Sequence, residues 1–200
     1  RLKALKQILA AEGLQGVERL AAAAPGCGYV GNVLAKSRIE LPQVRPWLLE
    51  RVVDAHPGNG VHDLMFGLLR ALPQLDAVAL MRDACVLLHR GGHGIERIAA
   101  VLVAIPVQQS TWELAAEFGV DVETDYWRRC NPHMWVRAGE ADFEFVARKL
   151  CGVGRPSTAL QLGHFGIEKM DAHLLLDVLE QFSREPEADG PRLTSWDICE

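Results

Sequence analysis

Phe143, Val146, Ala147 and Leu150 fall at i, i+3, i+4 and i+7. That spacing lays four apolar side chains along one side of an α-helix and along no single face of a strand. The pattern recurs from end to end. Leu5, Ile8 and Leu9 share a face, and Val17, Leu20 and Ala21 do so after "EG". Trp47, Leu48, Leu49 and Val52 point inward from "LPQVRPWLLERVVDAH", which stops at "PGNG". Leu64, Leu68 and Leu72 follow. Ala77, Met81, Ala84, Cys85 and Leu88 form a long stripe ended by "RGGHG". Ile95, Ile98, Ala99 and Leu102 come next, and Leu174, Leu175, Val178, Leu179 and Phe182 close the series. A chain patterned this way must bury helix stripes against other helices.

The punctuation agrees with helices. Ser110 to Glu113, "STWE", has the form of a capping box, in which a hydroxyl and the acid three residues on satisfy the first free N–H groups. Pro156 in "GRPSTALQ" suits the first helical position, where its missing N–H costs nothing. Asp171 can cap the helix carrying Leu174. "VLVAI", 101–105, is the best strand candidate, but it continues the stripe begun at Ile95. The expectation is about a dozen short helices with short Gly/Pro turns, and one exposed polar loop at "REPEADGPR", 184–192.

The fold class expected is all-α, as stacked antiparallel helix pairs in an α-solenoid, with a compact multi-helix bundle as the alternative. Residues 1–200 read as a single helical-repeat region, or as one sub-divided near 106–110. Apolar residues make up 49% of the chain, enough for a continuous core. The chain opens at Arg1 already in helical pattern and closes on "TSWDICE", which reads as a helix beginning. The expectation is a segment of a longer protein.

Charge and sulfur narrow the function classes. Net charge is −5. Residues 1–100 carry 12 Lys/Arg against 9 Asp/Glu, and residues 101–200 carry 9 against 17. No basic cluster is long enough to track a phosphate backbone, so nucleic acid is not an expected partner. No signal peptide is expected, and with no run of about eighteen apolar residues no membrane span is expected either. Cys27, Cys85, Cys130, Cys151 and Cys199 are widely spaced and never in a CxxC. They read as reduced thiols of a cytoplasmic protein.

One internal echo favours stacking. "STWELA" at 110–115 matches "TSWDIC" at 194–199 in residue type at each position, at an offset of 84. That distance holds two units of roughly 40 residues. "FEFVARKLCGVGRPSTALQLGHFGIEKM" is similar to a tetratricopeptide-like helix pair, with Ala159, Gly163 and Gly166 on one side for close helix approach. The likeness covers about 45 residues, 139–183, and lacks the full Trp-Leu-Gly-Tyr pattern of that family. A HEAT-like repeat or a generic α-solenoid fits equally. "TWELAAEFGVDVETDYWRRC", followed by "GRP", also resembles helical regions of large multidomain bacterial sensor or defence proteins. Those resemblances imply a scaffold that positions partners or an effector domain.

The densest chemistry lies in "TDYWRRCNPHMW", 124–135. On a helix over 121–130, Val122, Tyr126 and Cys130 share a face with Trp127 beside them, and Pro132 ends the helix. That is a packing stripe. The functional reading is an aromatic and Arg hot spot for a protein partner, with Arg128, His133, Met134, Trp135 and Arg137 as candidates.

Other constellations are less complete. Cys85, His89 and His93 are spaced i, i+4, i+8, but "RGGHG" breaks the helix before the third. Cys130, His133, Cys151 and His164 are the alternative set, for a small helical metal-binding or Cys/His enzyme domain. They lack an orienting third group or a paired ligand motif. Asp121, Glu123 and Asp125 lack the Gly and terminal Glu of a calcium loop and read as a helix start. "GVGRP" has no following Lys-Ser/Thr, so it is no phosphate loop. "HPGNGVHD" reads as a solvated turn holding His56, His62 and Asp63. The expectation is a protein–protein interaction segment, with no catalytic residue, metal or cofactor.

Overall fold

The computed structural model describes residues 2–23, 28–36, 41–54, 60–72, 74–130, 140–162 and 171–184. The fold is all-α, as many helices packed on one another. Among the described residues the order is α1 (Leu2–Ala23), α2 (Gly28–Lys36), α3 (Leu41–Asp54), α4 (Gly60–Ala71), α5 (Gln74–Arg90), α6 (Ile95–Leu102), α7 (Gln109–Glu117), α8 (Val120–Arg129), α9 (Glu140–Gly152), α10 (Pro156–Leu162) and α11 (Ala172–Ser183). "VLVAI" is not a strand: α6 carries its stripe through Leu102 and a turn follows.

The chain divides into two compact units. The first comprises Arg1–Pro106 and Ser110–Tyr126, and the second Val107–Gln109 and Trp127–Glu200.

In the first unit, α2 packs along α4, and α1 lies against both. Helix α3 packs on α4 and α5, and α5 on α6. The stripes predict this core well. Ala77, Met81, Ala84, Cys85 and Leu88 are all buried, as are Leu48, Val52, Leu64 and Leu68. Each such Leu or Met contributes roughly 1.5–3 kcal/mol of transfer free energy. Ile8, Leu9, Trp47, Leu49 and Leu72 are half-buried, and two members of the stripes are exposed. Leu20 is exposed beside buried Ala21, and Ile95 is 44% exposed. Ile95 is the first residue of α6, before the helix has turned its apolar side inward.

Two glycines let backbones touch. A Cβ on Gly31 would collide with the Leu64 carbonyl oxygen and would sit 2.8 Å from the Gly67 carbonyl carbon. A Cβ on Gly60 would collide with the Ala21 carbonyl. Of "PGNG", 57–60, only Gly60 is among the described residues, and its role is packing. Gly60 starts α4 and seats it on α1, so His62 and Asp63 lie in a helix, not in the turn expected. Polar ties reinforce the packing. Glu18 accepts from Trp47 Nε1 and from Arg51 Nε at 2.7 Å, which joins α1 to α3. Arg82 donates to Glu117 from α5 to α7, with Nη2 2.8 Å from Oε1.

In the second unit, α9, α10 and α11 pack pairwise into a three-helix cluster. Phe143, Val146, Ala147 and Leu150 are all buried, so the opening stripe of the sequence is its core. Leu174 and Val178 are buried from α11. Asp171 caps that helix by accepting from the Leu174 N–H at 3.3 Å. Pro156 is the first residue of α10. Helix α7, which belongs to the first unit from Ser110 on, starts at Gln109, so Ser110 lies inside the first turn, two positions later than a capping box requires.

Among the described residues the same helix ending occurs in both units. At the end of α5, His93 N–H donates to Leu88 O at 3.0 Å and Gly92 N–H to His89 O at 3.2 Å. At the end of α9, Arg155 N–H donates to Leu150 O and Gly154 N–H to Cys151 O, both at 2.9 Å. Gly92 and Gly154 have φ of 71° and 76°. Both are Schellman turns, which need a left-handed residue and satisfy the last carbonyls of the helix. In each case the next helix starts within three residues and packs back on the one just ended.

Candidate functional site

The residues singled out in 124–135 divide at the end of α8. Val122, Tyr126, Trp127 and Cys130 are buried, so the described part of this stretch is a packing seam. The apolar spacing at 122, 126 and 130 sets that face. Asp121 and Glu123 in the first turn and Arg128 and Arg129 in the last complement the helix dipole.

From Trp127 on, the end of α8 belongs to the second unit and is held by other side chains of that unit. Trp127 is 1% exposed and meets the Phe145 ring edge-on, with centroids 6.0 Å apart and planes at 70°. Lys149 Nζ stands 5.4 Å from the Phe145 centroid, one helical turn along α9. An ammonium over a ring face is attracted by the ring quadrupole. Arg155 Nη1 donates to Trp127 O and to Cys130 O, both at 2.9 Å. A guanidinium on the last carbonyls of a helix neutralises the negative end of its dipole. Cys130 Sγ donates to Trp127 O at 3.5 Å and lies 3.8 Å from Arg155 Nη1. Burial pushes the Cys130 thiol up from its ordinary range, and the Arg155 charge and hydrogen bond offset part of that rise.

This arrangement holds the chain at the point where it enters "NPHMWVRAG". Its thiol is neutral, buried and hydrogen-bonded. A nucleophilic Cys needs the thiolate, and burial works against one here.

Of the expected partner-binding residues, Arg128 is exposed on the last turn of α8. His133, Met134, Trp135 and Arg137 lie outside the described residues, as does His164. Of the alternative metal or enzyme set, Cys130 is buried and Cys151 half-buried. Cys85 is buried, while His89 and His93 are exposed beyond it. Among the described residues no three His, Cys, Asp or Glu side chains converge to hold a metal ion. None of the described helices is long and apolar enough to cross a membrane.

Phe145, Lys149 and Arg155 were not among the residues singled out from the sequence. Phe145 lies off the Phe143–Leu150 stripe and is 37% exposed, so periodicity assigns it to solvent. Arg155 follows the left-handed glycine of a helix stop, outside any apolar stripe. The "GRP" tripeptide was a usable signal for the turn, though not for the carbonyls it reaches. No family model, no curated protein and no solved structure is similar enough to this chain to register a match.

Proposed function

We propose that this chain is a helical-repeat scaffold, a non-enzymatic segment that binds a protein partner or positions another domain of a larger cytoplasmic protein. The observation that carries the reading is the recurrence of one supersecondary unit. A helix, a Schellman turn and a helix packed back on it occur as α5–α6 and again as α9–α10. Repeating such a unit is how α-solenoids extend, and their lateral faces serve as binding surfaces.

The binding residues proposed are Trp135 and Arg137, with His133 and Met134 beside them and Arg128 preceding them. Trp and Arg dominate interaction hot spots. The segment that carries them follows directly on the α8 end, where Arg155 donates to the Trp127 and Cys130 carbonyls.

The test compares wild type with Trp135→Ala/Arg137→Ala. Affinity capture with quantitative mass spectrometry is expected to show a retained protein drop about tenfold or more. The thermal melt should be unchanged. A variant that melts several degrees lower with its captured proteins untouched would make the two residues structural. Stoichiometric zinc in the purified protein would favour the Cys130, His133, Cys151 and His164 reading instead.

A further inference from the structure

Helix α1 is not one rod. Gly13 sits at φ 61°, ψ −154°, inside the span Leu2–Ala23. That backbone region is essentially restricted to glycine. It breaks the helix into an arm, Leu2–Glu12, and a stem, Leu14–Ala23. In an unbroken helix, β-carbons four residues apart lie roughly 5–6 Å from each other. Here a Cβ on Gly16 would lie 2.7 Å from Glu12 Cβ. It would also lie 2.8 Å from Ile8 Cγ2. Eight residues of straight helix would separate those positions by roughly 12 Å along the axis. The arm is therefore folded onto the stem, closing over Gly16. The Glu12–Arg19 ion pair bridges the bend between two exposed side chains. Leu5 is buried, and Ile8 and Leu9 are half-buried.

We propose that this arm is an exchangeable strap, and that a second copy of this chain is its alternative partner. Three features carry the proposal. The hinge is a single residue, and short hinges favour exchange because they cannot relax within one chain. The arm meets its own stem at two places, Ile8 and Glu12 against Gly16, and Glu12 against Arg19. A second copy offers the same contacts, so the closed interface is regained in full on exchange. Straightening at Gly13 makes α1 one helix of twenty-two residues, so the open form gains helical continuity. The interface is self-complementary under a two-fold axis, so it closes at a dimer. The inference is independent of the scaffold reading, because it concerns the first unit alone and none of the residues at the α8 end.

Gly13→Ala tests it. Alanine is disfavoured at φ 61° and favoured in a continuous helix, so the substitution penalises the closed form alone. Light scattering on a sizing column is expected to show a concentration-dependent dimer, with the equilibrium shifted about tenfold per chain. Inserting four Gly/Ser residues after Gly13 is expected to restore the monomer by relaxing the hinge. A Gly13→Ala protein that stays folded and monomeric at every concentration overturns the proposal.

If Gly13→Ala does not fold, Glu12→Cys/Arg19→Cys decides, with Gly13 retained. Isotope-labelled and unlabelled chains are mixed, concentrated and oxidised, and the 12–19 bridge is mapped by mass spectrometry. Mixed-label bridges are expected. Bridges within single chains only, at every concentration, overturn the proposal.

Discussion

Arg155 and Cys130 are joined by the 2.9 Å hydrogen bond from the Arg155 guanidinium to the Cys130 carbonyl oxygen. The same nitrogen donates to Trp127 O at 2.9 Å, so one cation closes two carbonyls at the end of α8. Arg155 owes its position to the Schellman turn that ends α9, in which its own N–H returns to Leu150 O. A turn written in the sequence as "GVGRP" thereby sets where another helix ends.

Arg155→Ala is expected to destabilise the second unit by about 1–3 kcal/mol, because two partly buried carbonyls lose a charged donor. Arg155→Lys should recover part of the loss, since an ammonium keeps the charge but not the planar fork. Urea unfolding followed by tryptophan fluorescence measures both, with midpoint and slope fitted separately. The alanine variant should also leave the Cys130 thiol higher than in wild type. Burial then acts without its opposing charge. Equal midpoints for wild type and Arg155→Ala would show that water replaces the guanidinium without cost.

Gly31→Ala should cost more than an ordinary helix substitution would lead one to expect. Alanine is the better helix former by about 1 kcal/mol, so propensity alone predicts a gain. The added methyl meets the Leu64 carbonyl oxygen and the backbone near Gly67, which are not flexible ends. Helices α2 and α4 must separate, and overpacking of this kind costs typically about 1–3 kcal/mol or more. Denaturant midpoints for Gly31→Ala and for a solvent-facing control, Gly152→Ala, separate the two effects. A Gly31→Ala protein as stable as wild type would mean that α2 rides on α4 less closely than described.

Cys85 sets an alkaline limit on the first unit. Burial raises its thiol from an ordinary 9.0 to about 12. Below pH 9 both folded and unfolded chains hold the proton, and the contribution to stability is fully present. Between 9 and about 12 only the unfolded chain ionises. Stability then falls on this group by about 1.4 kcal/mol per pH unit. Unfolding free energies at pH 8, 9.5 and 10.5, for wild type and Cys85→Ala, isolate it. The wild type should show the steeper decline. Parallel slopes would mean that Cys85 ionises equally in both states.

Much of the architecture was legible in the residues alone. The stripes at 77–88 and 143–150 are core as spaced, and the stops at "RGGHG" and "GVGRP" are turns as written. Helix periodicity is a local property, and so is the left-handed residue that ends a helix. The exceptions are equally local in kind. Ile95 has the right spacing but stands at a helix start, where no turn precedes it to bring it inward. The candidate site was legible only in its buried half, because spacing tells which residues share a face and not what crosses to meet them.

What the residues determined by themselves is the set of helices and the side of each that must leave water. That information is contained within a few turns of chain. What only the tertiary structure decided is which backbones touch and which polar groups close them. Gly31 against Leu64 and Gly67, Gly60 against Ala21, and Arg155 against a carbonyl 28 residues away are contacts between distant segments. They depend on how two helices meet, and no local spacing encodes that meeting.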